Sequence, residues 1–579
     1  MSENLKITNE RVDDIPVLLA QIERMQVGRL LDEHFPTHGN WQGLSLGKVT
    51  TVWLVFILTE ANHRLSHVEE WAEQRLRTLQ GCLGEPVRAL DFSDDRLPAI
   101  LDHLSRDEVW MDFESALNEH TLRAYDLQPE RVRVDSTTAK GYVVVSPDGL
   151  FQFGHSKDHR PDLPQIKINI SVLDPLGLPM TTTVLSGEKA DDPLYVPEIK
   201  RVQQSLKCQG VTYVGDSKMA ALQTRAYVAA SNDYYLCPLP AVQLSDEAMA
   251  ELLKPIWSGV QSLVPIYRHR ADSESEQIAE GYQYTVLLET QVESKTIEWL
   301  ERRLVVRSLK LAEAQEQSLG KRVNKAISEI SALNKRAQGK KLFREESELR
   351  TVAEQILARL GVANLVTLNY TNHINEQPLR PYGRRPATVK VERTVTVAAE
   401  VNEAALSEAK RSLGWRVYAT NQPGEQLSVE QAVSAYRAQY LVEHGIGRLK
   451  GKPLSLMPIY LESDQRVIGL VRLLMIALRV LTLLEFSARR QLQKDGGKLA
   501  GIYPGNPKRA TERPTTEMML RAFEGLTLTF ITEKRRVRTH ITPLSQVQQR
   551  ILQLFGFSPD AYLRLSQHFS KPVLNLSEP

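Results

Sequence analysis

The chain has 579 residues, too many for a single hydrophobic core, and its length favours about three or four domains. Lys and Arg total 72 against 70 for Asp and Glu, which excludes a strongly basic or acidic protein and does not by itself indicate a partner. The three cysteines, Cys82, Cys208 and Cys237, have neither metal-ligand spacing nor an even disulfide framework, so a reducing cytosol is favoured. The first residues carry no basic segment followed by an apolar one, so no secretory signal is expected.

Residues 1–130 are predicted to form a helical N-terminal domain. Apolar side chains recur at helical spacing from Ile15 to Ile22 and again from Val109 to Leu117. A small helical domain in this position is a candidate DNA-binding element, although the sequence contains no specific helix-turn-helix pattern.

From residue 131 the apolar pattern changes to period two, which predicts strands. The first strand is predicted to end on Asp135, and residues 165–185 are predicted to form a hairpin. After a helix over 196–206, a second strand is predicted to end on Asp216. The order of strand, hairpin, helix, strand, helix and strand predicts a mixed α/β sheet over 131–240.

Residues 241–410 leave this pattern and are predicted to be an insertion. Apolar stripes at helical spacing over 319–333 and 342–360 predict a helical hairpin whose role is packing. Strand-like sequence then resumes, so residues 411–490 are predicted to complete the sheet domain, followed by a C-terminal region over 491–579.

The stretch from Tyr436 to Lys450 is the most informative part of the sequence. Tyr436, Glu443 and Lys450 are seven residues apart, which places them on one face of a helix. Ser428 and Gln431 match a capping box at the start of that helix. A carboxylate flanked by a phenol and an ammonium can hold a divalent cation beside a phosphate backbone.

Asp135, Asp216 and Glu443 together are candidate ligands for metal-dependent phosphoryl transfer. Cleavage of a phosphodiester needs an activated nucleophile and a stabilised leaving oxygen, which two metal ions held by carboxylates can supply. Taken singly each residue is weak evidence, because an aspartate after a strand is usually a turn residue or helix cap and a lone glutamate on a helix is usually solvated. The joint pattern carries the interpretation.

These motifs resemble the DDE transposases of bacterial insertion sequences, in the group with a Y-x2-R-x3-E-x6-K signature helix. Residues 134–138 are similar to the motif around the first aspartate, residues 214–217 are similar to the motif around the second, and the glutamate of the signature is Glu443. Gln439 stands where the signature has arginine. The resemblance implies an α/β fold with an RNase-H-like mixed-sheet core, an α+β insertion and an N-terminal helical domain.

The resemblance also implies catalytic and metal-binding roles for Asp135, Asp216 and Glu443, with two Mg²⁺ ions as cofactor and Mn²⁺ as a substitute. The expected DNA contacts are Tyr436, Arg437, Gln439, Arg448, Lys450 and Lys452, together with His155, Lys157, His159 and Arg160 in a loop similar to one found in a subset of these enzymes. A solvated polar loop is an open alternative for the last four.

The implied activity is cleavage of DNA at transposon ends and strand transfer into target DNA. The implied partners are terminal inverted repeats and target DNA, bound by a homodimer in the synaptic complex, and the expected location is the cytoplasm, in association with the nucleoid. Two alternatives stay open at this point, namely an RNase-H-like nuclease without joining activity and a non-catalytic DNA-binding protein derived from a transposase.

The apolar stretch 467–486 is predicted to be a buried helix and not a membrane span, because it contains Arg472, Arg479 and Glu485. The two arginines share a face, and the sequence leaves open whether that face meets DNA or solvent.

Overall fold

The computed structural model describes residues 5–270, 273–292, 294–335, 342–379, 388–533 and 536–568. The chain divides into two compact units. Through their described residues, one unit comprises Met1–Cys237, Glu289–Trp299 and Ala435–Pro579, and the other comprises Pro238–Leu288 and Leu300–Ser434.

The N-terminal part begins with a strand and continues as helices. Its elements are β1 (Leu5–Arg11), α1 (Ile15–Arg24), α2 (Val27–His34), α3 (Leu46–Glu60), α4 (Val68–Glu73), α5 (Leu76–Leu83), α6 (Arg96–Leu104) and α7 (Asp107–Tyr125). The helical prediction for this part is confirmed by α1–α7 and wrong at β1.

The sheet that positions the candidate site follows. Its elements are β2 (Arg131–Lys140), β3 (Gln165–Leu173), β4 (Leu178–Ser186), α8 (Tyr195–Leu206), β5 (Thr212–Val214), α9 (Leu222–Ala230) and β6 (Tyr234–Pro238). The strand order is β4-β3-β2-β5-β6, antiparallel among β4, β3 and β2 and parallel among β2, β5 and β6. The predicted mixed α/β sheet and its β3–β4 hairpin are therefore confirmed.

The second unit contains strands and a helical hairpin. Its region contains α10 (Asp246–Trp257), β7 (Val264–Arg270), β8 (Ser273–Val292), β9 (Lys295–Ser308), α11 (Leu309–Leu333), α12 (Glu346–Leu360), β10 (Val366–Leu379), β11 (Thr388–Val401), α13 (Glu403–Arg411) and β12 (Trp415–Thr420). The end of β8 and the start of β9 belong to the first unit. The predicted pair of helices is present as α11 and α12, whose apolar stripes pack together with β10 and β11 in one core. Their role in this region is packing, as the apolar periodicity indicated.

The chain returns to the first unit at Ala435, within the first of the remaining elements. They are α14 (Val429–Arg437), α15 (Tyr440–Lys450), α16 (Asp464–Asp495), β13 (Leu499–Ala500), β14 (Ala510–Thr511), α17 (Thr516–Arg521), β15 (Thr527–Glu533), β16 (Arg536–Ile541), α18 (Gln546–Phe555) and α19 (Asp560–His568). The capping box at the start of α14 is confirmed, because the Ser428 hydroxyl accepts the Gln431 N–H at 3.1 Å and the Gln431 carboxamide accepts the Ser428 N–H at 2.8 Å.

The long helix α16 forms the centre of the first unit and packs against α6, α3 and β4. Among the described helices it is the one long and apolar enough to cross a membrane, and 94% of its most apolar window is buried inside the protein. Both orientations considered for Arg472 and Arg479 are wrong, since these side chains are 1% and 2% exposed. Their burial is possible because α6 and α7 supply hydrogen-bond acceptors. Arg472 donates to the Leu104 carbonyl of α6 at 2.8 Å, and Arg479 donates to the Asn118 side chain of α7 at 2.7 Å.

Candidate active site on the central sheet

Asp135 and Asp216 are brought together by the parallel pairing of β2 with β5. The last pair of this ladder is Arg133 with Val214. Each aspartate lies two residues beyond that pair, so both side chains project from the same face of the sheet at equivalent positions. The prediction that the first strand ends on Asp135 is wrong, because β2 continues to Lys140 by antiparallel pairing with β3. At Asp135, β2 is no longer paired with β5 on one side but stays paired with β3 on the other.

Donors surround the Asp135 carboxylate. Its Oδ1 accepts the Ser136 N–H at 2.8 Å and lies 3.8 Å from the Lys157 ammonium, and its Oδ2 accepts the Gln439 carboxamide N–H at 3.4 Å. Burial raises the pKa of Asp135 to about 6, against the opposing effect of Lys157, and the carboxylates of Asp216 and Asp191 add to the rise. Asp135 is therefore a carboxylate whose ionisation falls close to neutral pH.

Asp216 has a different set of contacts. Its Oδ1 accepts the hydroxyl of Tyr195 and the N–H of Lys218, both at 2.8 Å, and the residue caps the short 3-10 turn Ser217–Ala220. Asp216 therefore has the helix-cap role that the sequence left open, and it also lies beside Asp135. Burial and the adjacent Asp216 raise the pKa of Tyr195 far above its ordinary value, so Tyr195 is a permanent hydrogen-bond donor.

Asp191 is a third carboxylate in this neighbourhood, and the sequence pattern did not reveal it. Its Oδ1 accepts the hydroxyl of Ser136 at 2.9 Å and the ammonium of Lys167 at 2.7 Å, while its Oδ2 lies 3.6 Å from the Lys157 ammonium. Lys157 also donates to the Ser136 hydroxyl at 2.8 Å. The Lys157 ammonium is therefore held between the carboxylates of Asp135 and Asp191. The only sequence signal for Asp191 is a polar loop after the hairpin, which carries no periodicity.

The signature segment is interrupted, so the prediction of one continuous helix is wrong. α14 ends at Arg437 and α15 begins at Tyr440. The N–H groups of residues 438, 439, 441 and 442 donate to carbonyls three residues earlier, which tightens the chain into a 3-10 turn. The buried Arg133 side chain, which pairs with Asp174 at 2.7 Å, also donates to the Ala435 carbonyl and holds this segment against β2. Gln439 lies within this interruption and donates to Asp135.

Glu443 lies one turn beyond Gln439 on α15, since its N–H donates to the Gln439 carbonyl at 3.3 Å. Its side chain is exposed on α15 and lines a cleft of about 900 Å³ together with residues that include Tyr440, His444 and Arg489. Among the described residues, no three His, Cys, Asp or Glu side chains gather into a group able to hold a metal ion. The structure thus brings Asp135 and Asp216 together, and the place of Glu443 in the same metal centre stays a prediction.

Lys450 and Arg448, two of the predicted DNA contacts, engage acidic partners within the protein. The Lys450 ammonium donates to Asp158 at 2.5 Å and to the Thr137 hydroxyl at 3.2 Å, which places it over β2 two residues beyond Asp135. Arg448 is only 6% exposed and pairs with Glu485 and Glu517. Because Arg448 is buried as well as paired, its guanidinium is not accessible to a DNA phosphate.

The other predicted DNA contacts are more accessible. Lys452 is exposed, and Tyr436 and Arg437 are half-buried at the end of α14. In the loop that contains Lys157, His155 and His159 are exposed, and Arg160 makes two hydrogen bonds with Asp162 at 2.7 and 2.6 Å.

The comparisons with known proteins cover different parts of the chain. Residues 7–115 match the family described as "Domain of unknown function (DUF4277)". No curated protein matches the chain significantly. One solved structure, the cryo-EM structure of a piggyBac transposase synaptic complex with hairpin DNA, superposes over 99% of this chain and 89% of that chain, at 8% sequence identity and a TM-score of 0.33. A superposition at that score does not assign a fold or a function.

Proposed function

We propose that this protein is a DDE-type transposase, which cleaves DNA at transposon ends and joins those ends to target DNA. One observation carries the proposal. Three motifs that are far apart in sequence meet on one sheet edge: Asp135 and Asp216 lie side by side, and Gln439 of the signature segment reaches Asp135 across 304 residues. Packing does not require these polar groups to lie together, whereas a catalytic site does.

The sheet that carries the aspartates supports an RNase-H-like core. Three antiparallel strands lead through α8 into two parallel strands, and the aspartates follow the point where β2 and β5 separate. Ligand and catalytic groups of α/β sheets commonly lie beyond the carboxyl ends of parallel strands. A nuclease centre at this edge would therefore occupy the usual place for chemistry on such a sheet.

The carboxylates present fit a metal centre only in part. Asp135 and Asp216 offer the hard oxygen ligands that Mg²⁺ prefers, and their mutual repulsion is what a cation would relieve. Among the described residues, no third His, Cys, Asp or Glu side chain completes a metal-binding group with them. The requirement for Mg²⁺, with Mn²⁺ as a substitute, stays a prediction.

The chain's own cations can bind and orient DNA at this edge. In our proposal Lys157 and Lys450, which lie near Asp135 and over Thr137, contact phosphates on either side of the reacting bond. Gln439, Arg437, Tyr436, Lys452, His155, His159 and Arg160 extend these contacts to terminal inverted repeats and target DNA, and a homodimer would bring two ends together.

Cleavage of a labelled duplex that carries the element's terminal repeat tests the proposal. We expect nicking and joined products with Mg²⁺, neither with EDTA, and no cleavage by Asp216→Asn, which still binds the duplex. Asparagine keeps the cap of the 3-10 turn, so the fold should persist. The exposed Asp148→Asn is the matched control and should cleave like the wild type. Cleavage by Asp216→Asn would refute the assignment, and nicking without joining would indicate a nuclease.

A non-catalytic DNA-binding protein is the second candidate, and one observation favours it. Gln439 replaces the signature arginine. Tight binding of the same duplex with no cleavage under any metal condition would select this candidate.

A further inference from the structure

Two exposed tyrosines form a stacked pair at the far end of β2. The ring centroids of Tyr142 and Tyr460 are 5.9 Å apart with planes inclined by 23°, and the residues are 54% and 66% exposed. Large aromatic side chains with this much exposure are typical of recognition surfaces more than of packing.

The backbone beneath the pair is firmly held. Gly141 forms a parallel bridge with Ile459, and the Tyr142 N–H donates to the Ile459 carbonyl at 3.0 Å. A side chain at position 141 would lie 2.5 Å from the Phe151 ring, so only glycine permits this close approach. The two rings are therefore presented on a rigid base, which lowers the entropy lost when a ligand binds.

Cationic groups lie beside the rings. Asp162 and, more weakly, the Tyr142 hydroxyl raise the pKa of Arg160, so its guanidinium, which is paired with Asp162, lies near that hydroxyl. Arg160 and, more weakly, Lys140 lower the pKa of Asp162, so Lys140 also lies near these residues. Aromatic rings next to cations suit a polynucleotide, because bases stack on the rings while phosphates meet the cations.

The pair also lies in line with the candidate active site. Tyr142 is seven residues beyond Asp135 along an extended chain, and at about 3.3 Å per residue this is roughly 23 Å. A DNA strand leaving Asp135 along β2 would reach the rings after about seven nucleotides at B-form spacing.

We propose that Tyr142 and Tyr460 form a stacking site for an unpaired base of a DNA strand bound at the Asp135–Asp216 edge. The inference rests on the proposed function for its choice of DNA. An unpaired base is specified because bases inside a duplex are already stacked on both faces and leave no ring face for tyrosine.

Binding without metal separates this site from catalysis. The probe is a fluorescent single-stranded DNA of about 20 nucleotides in EDTA, measured by anisotropy with the full chain. We expect the Tyr142→Leu, Tyr460→Leu double variant to bind roughly 5- to 150-fold more weakly, the change that stacking of about 1–3 kcal/mol per base gives. The matching double phenylalanine variant should bind like the wild type, and so should Tyr267→Leu, a control at another exposed tyrosine.

Three results would overturn the proposal: unchanged binding by the leucine variant, equal losses with leucine and phenylalanine, or tighter binding of an RNA of the same sequence. Because binding is measured in EDTA, failure of Asp216→Asn to abolish cleavage would count against the proposed function and not against this site.

Photocrosslinking of wild-type protein to DNA containing 5-iododeoxyuridine gives a second measurement that needs no variant. Adducts should map to Tyr142 or Tyr460, and adducts exclusively elsewhere would refute the site.

Discussion

Replacement of Asp135 by asparagine should abolish cleavage and also stabilise the protein. The rise of the Asp135 pKa from an ordinary 3.8 to about 6 means that the fold disfavours the ionised carboxylate. The difference corresponds to about 3 kcal/mol, and the side chain is 17% exposed, so solvent screens little of it. Asparagine has no charge to desolvate and none to repel Asp216, so we expect the free energy of unfolding at pH 7.5 to rise by about 1–3 kcal/mol.

The pH dependence of this effect has a definite sign. A carboxyl with a raised pKa contributes stability that is fully present below its unfolded pKa, near 3.8, and lost as the pH rises through about 6. The wild type should therefore lose stability between about pH 4 and pH 6 relative to Asp135→Asn, and the two proteins should differ little at pH 4.

Urea unfolding at several pH values, followed by intrinsic fluorescence, measures this difference. The exposed Asp148→Asn is the control and should leave the midpoint unchanged. If Asp135→Asn unfolds more easily than the wild type at pH 7.5, contacts of the ionised carboxylate with Lys157 and Gln439 outweigh its burial, and the reasoning is wrong.

Three further predictions concern the neighbouring side chains. Asp158→Asn removes the charge that neutralises Lys450, so the protein should bind DNA more tightly. In anisotropy titrations, the slope of log Kd against log salt concentration should steepen by about 0.9. An unchanged slope would show that Lys450 contacts no phosphate. Gln439→Arg places a cation beside Asp135, which should lower the pKa of that carboxyl. The acid limb of the profile of cleavage rate against pH should therefore move down by roughly 1–3 pH units. An acid limb at the wild-type pH would contradict a role for ionised Asp135. Arg448→Met removes one of the two arginines that pair with buried Glu485 and leaves Arg489, so it should lower the free energy of unfolding by about 1–3 kcal/mol in urea. The exposed Lys452→Met should change it by less than about 0.5 kcal/mol, and equal effects would contradict the assignment of Arg448 to the core.

Local patterns in the sequence predicted the sheet, and they failed where distant partners decide the outcome. Alternation located β2, β3 and β4, but the continuation of β2 past Asp135 depends on pairing with β3. The polar segment Leu5–Arg11 forms β1 only because β15 lies beside it. Arg472 and Arg479 looked like surface charges, and partners on or next to α7 make their burial tolerable.

The candidate site shows the same limit. Motif spacing singled out Asp135 and Asp216, and register explains why they meet. The turn at residues 438–439 follows from tertiary contacts such as Arg133 with Ala435, so spacing along an ideal helix did not predict the break between α14 and α15. Asp191 has no periodic signal and becomes visible only once the loop after β4 is folded back onto Ser136.

The pairing of β1 with β15 has a consequence for synthesis of the protein on the ribosome. Thr529 donates a hydrogen bond to Asn9 across 520 residues, so this small sheet cannot close until nearly the whole chain has emerged. At about 5–20 residues per second the first strand waits roughly 30–100 s for its partner. A nascent chain released early would keep an unpaired strand edge, which is a surface that chaperones and proteases recognise. Closure of the β1–β15 pair therefore marks the chains in which this edge is no longer accessible to quality control.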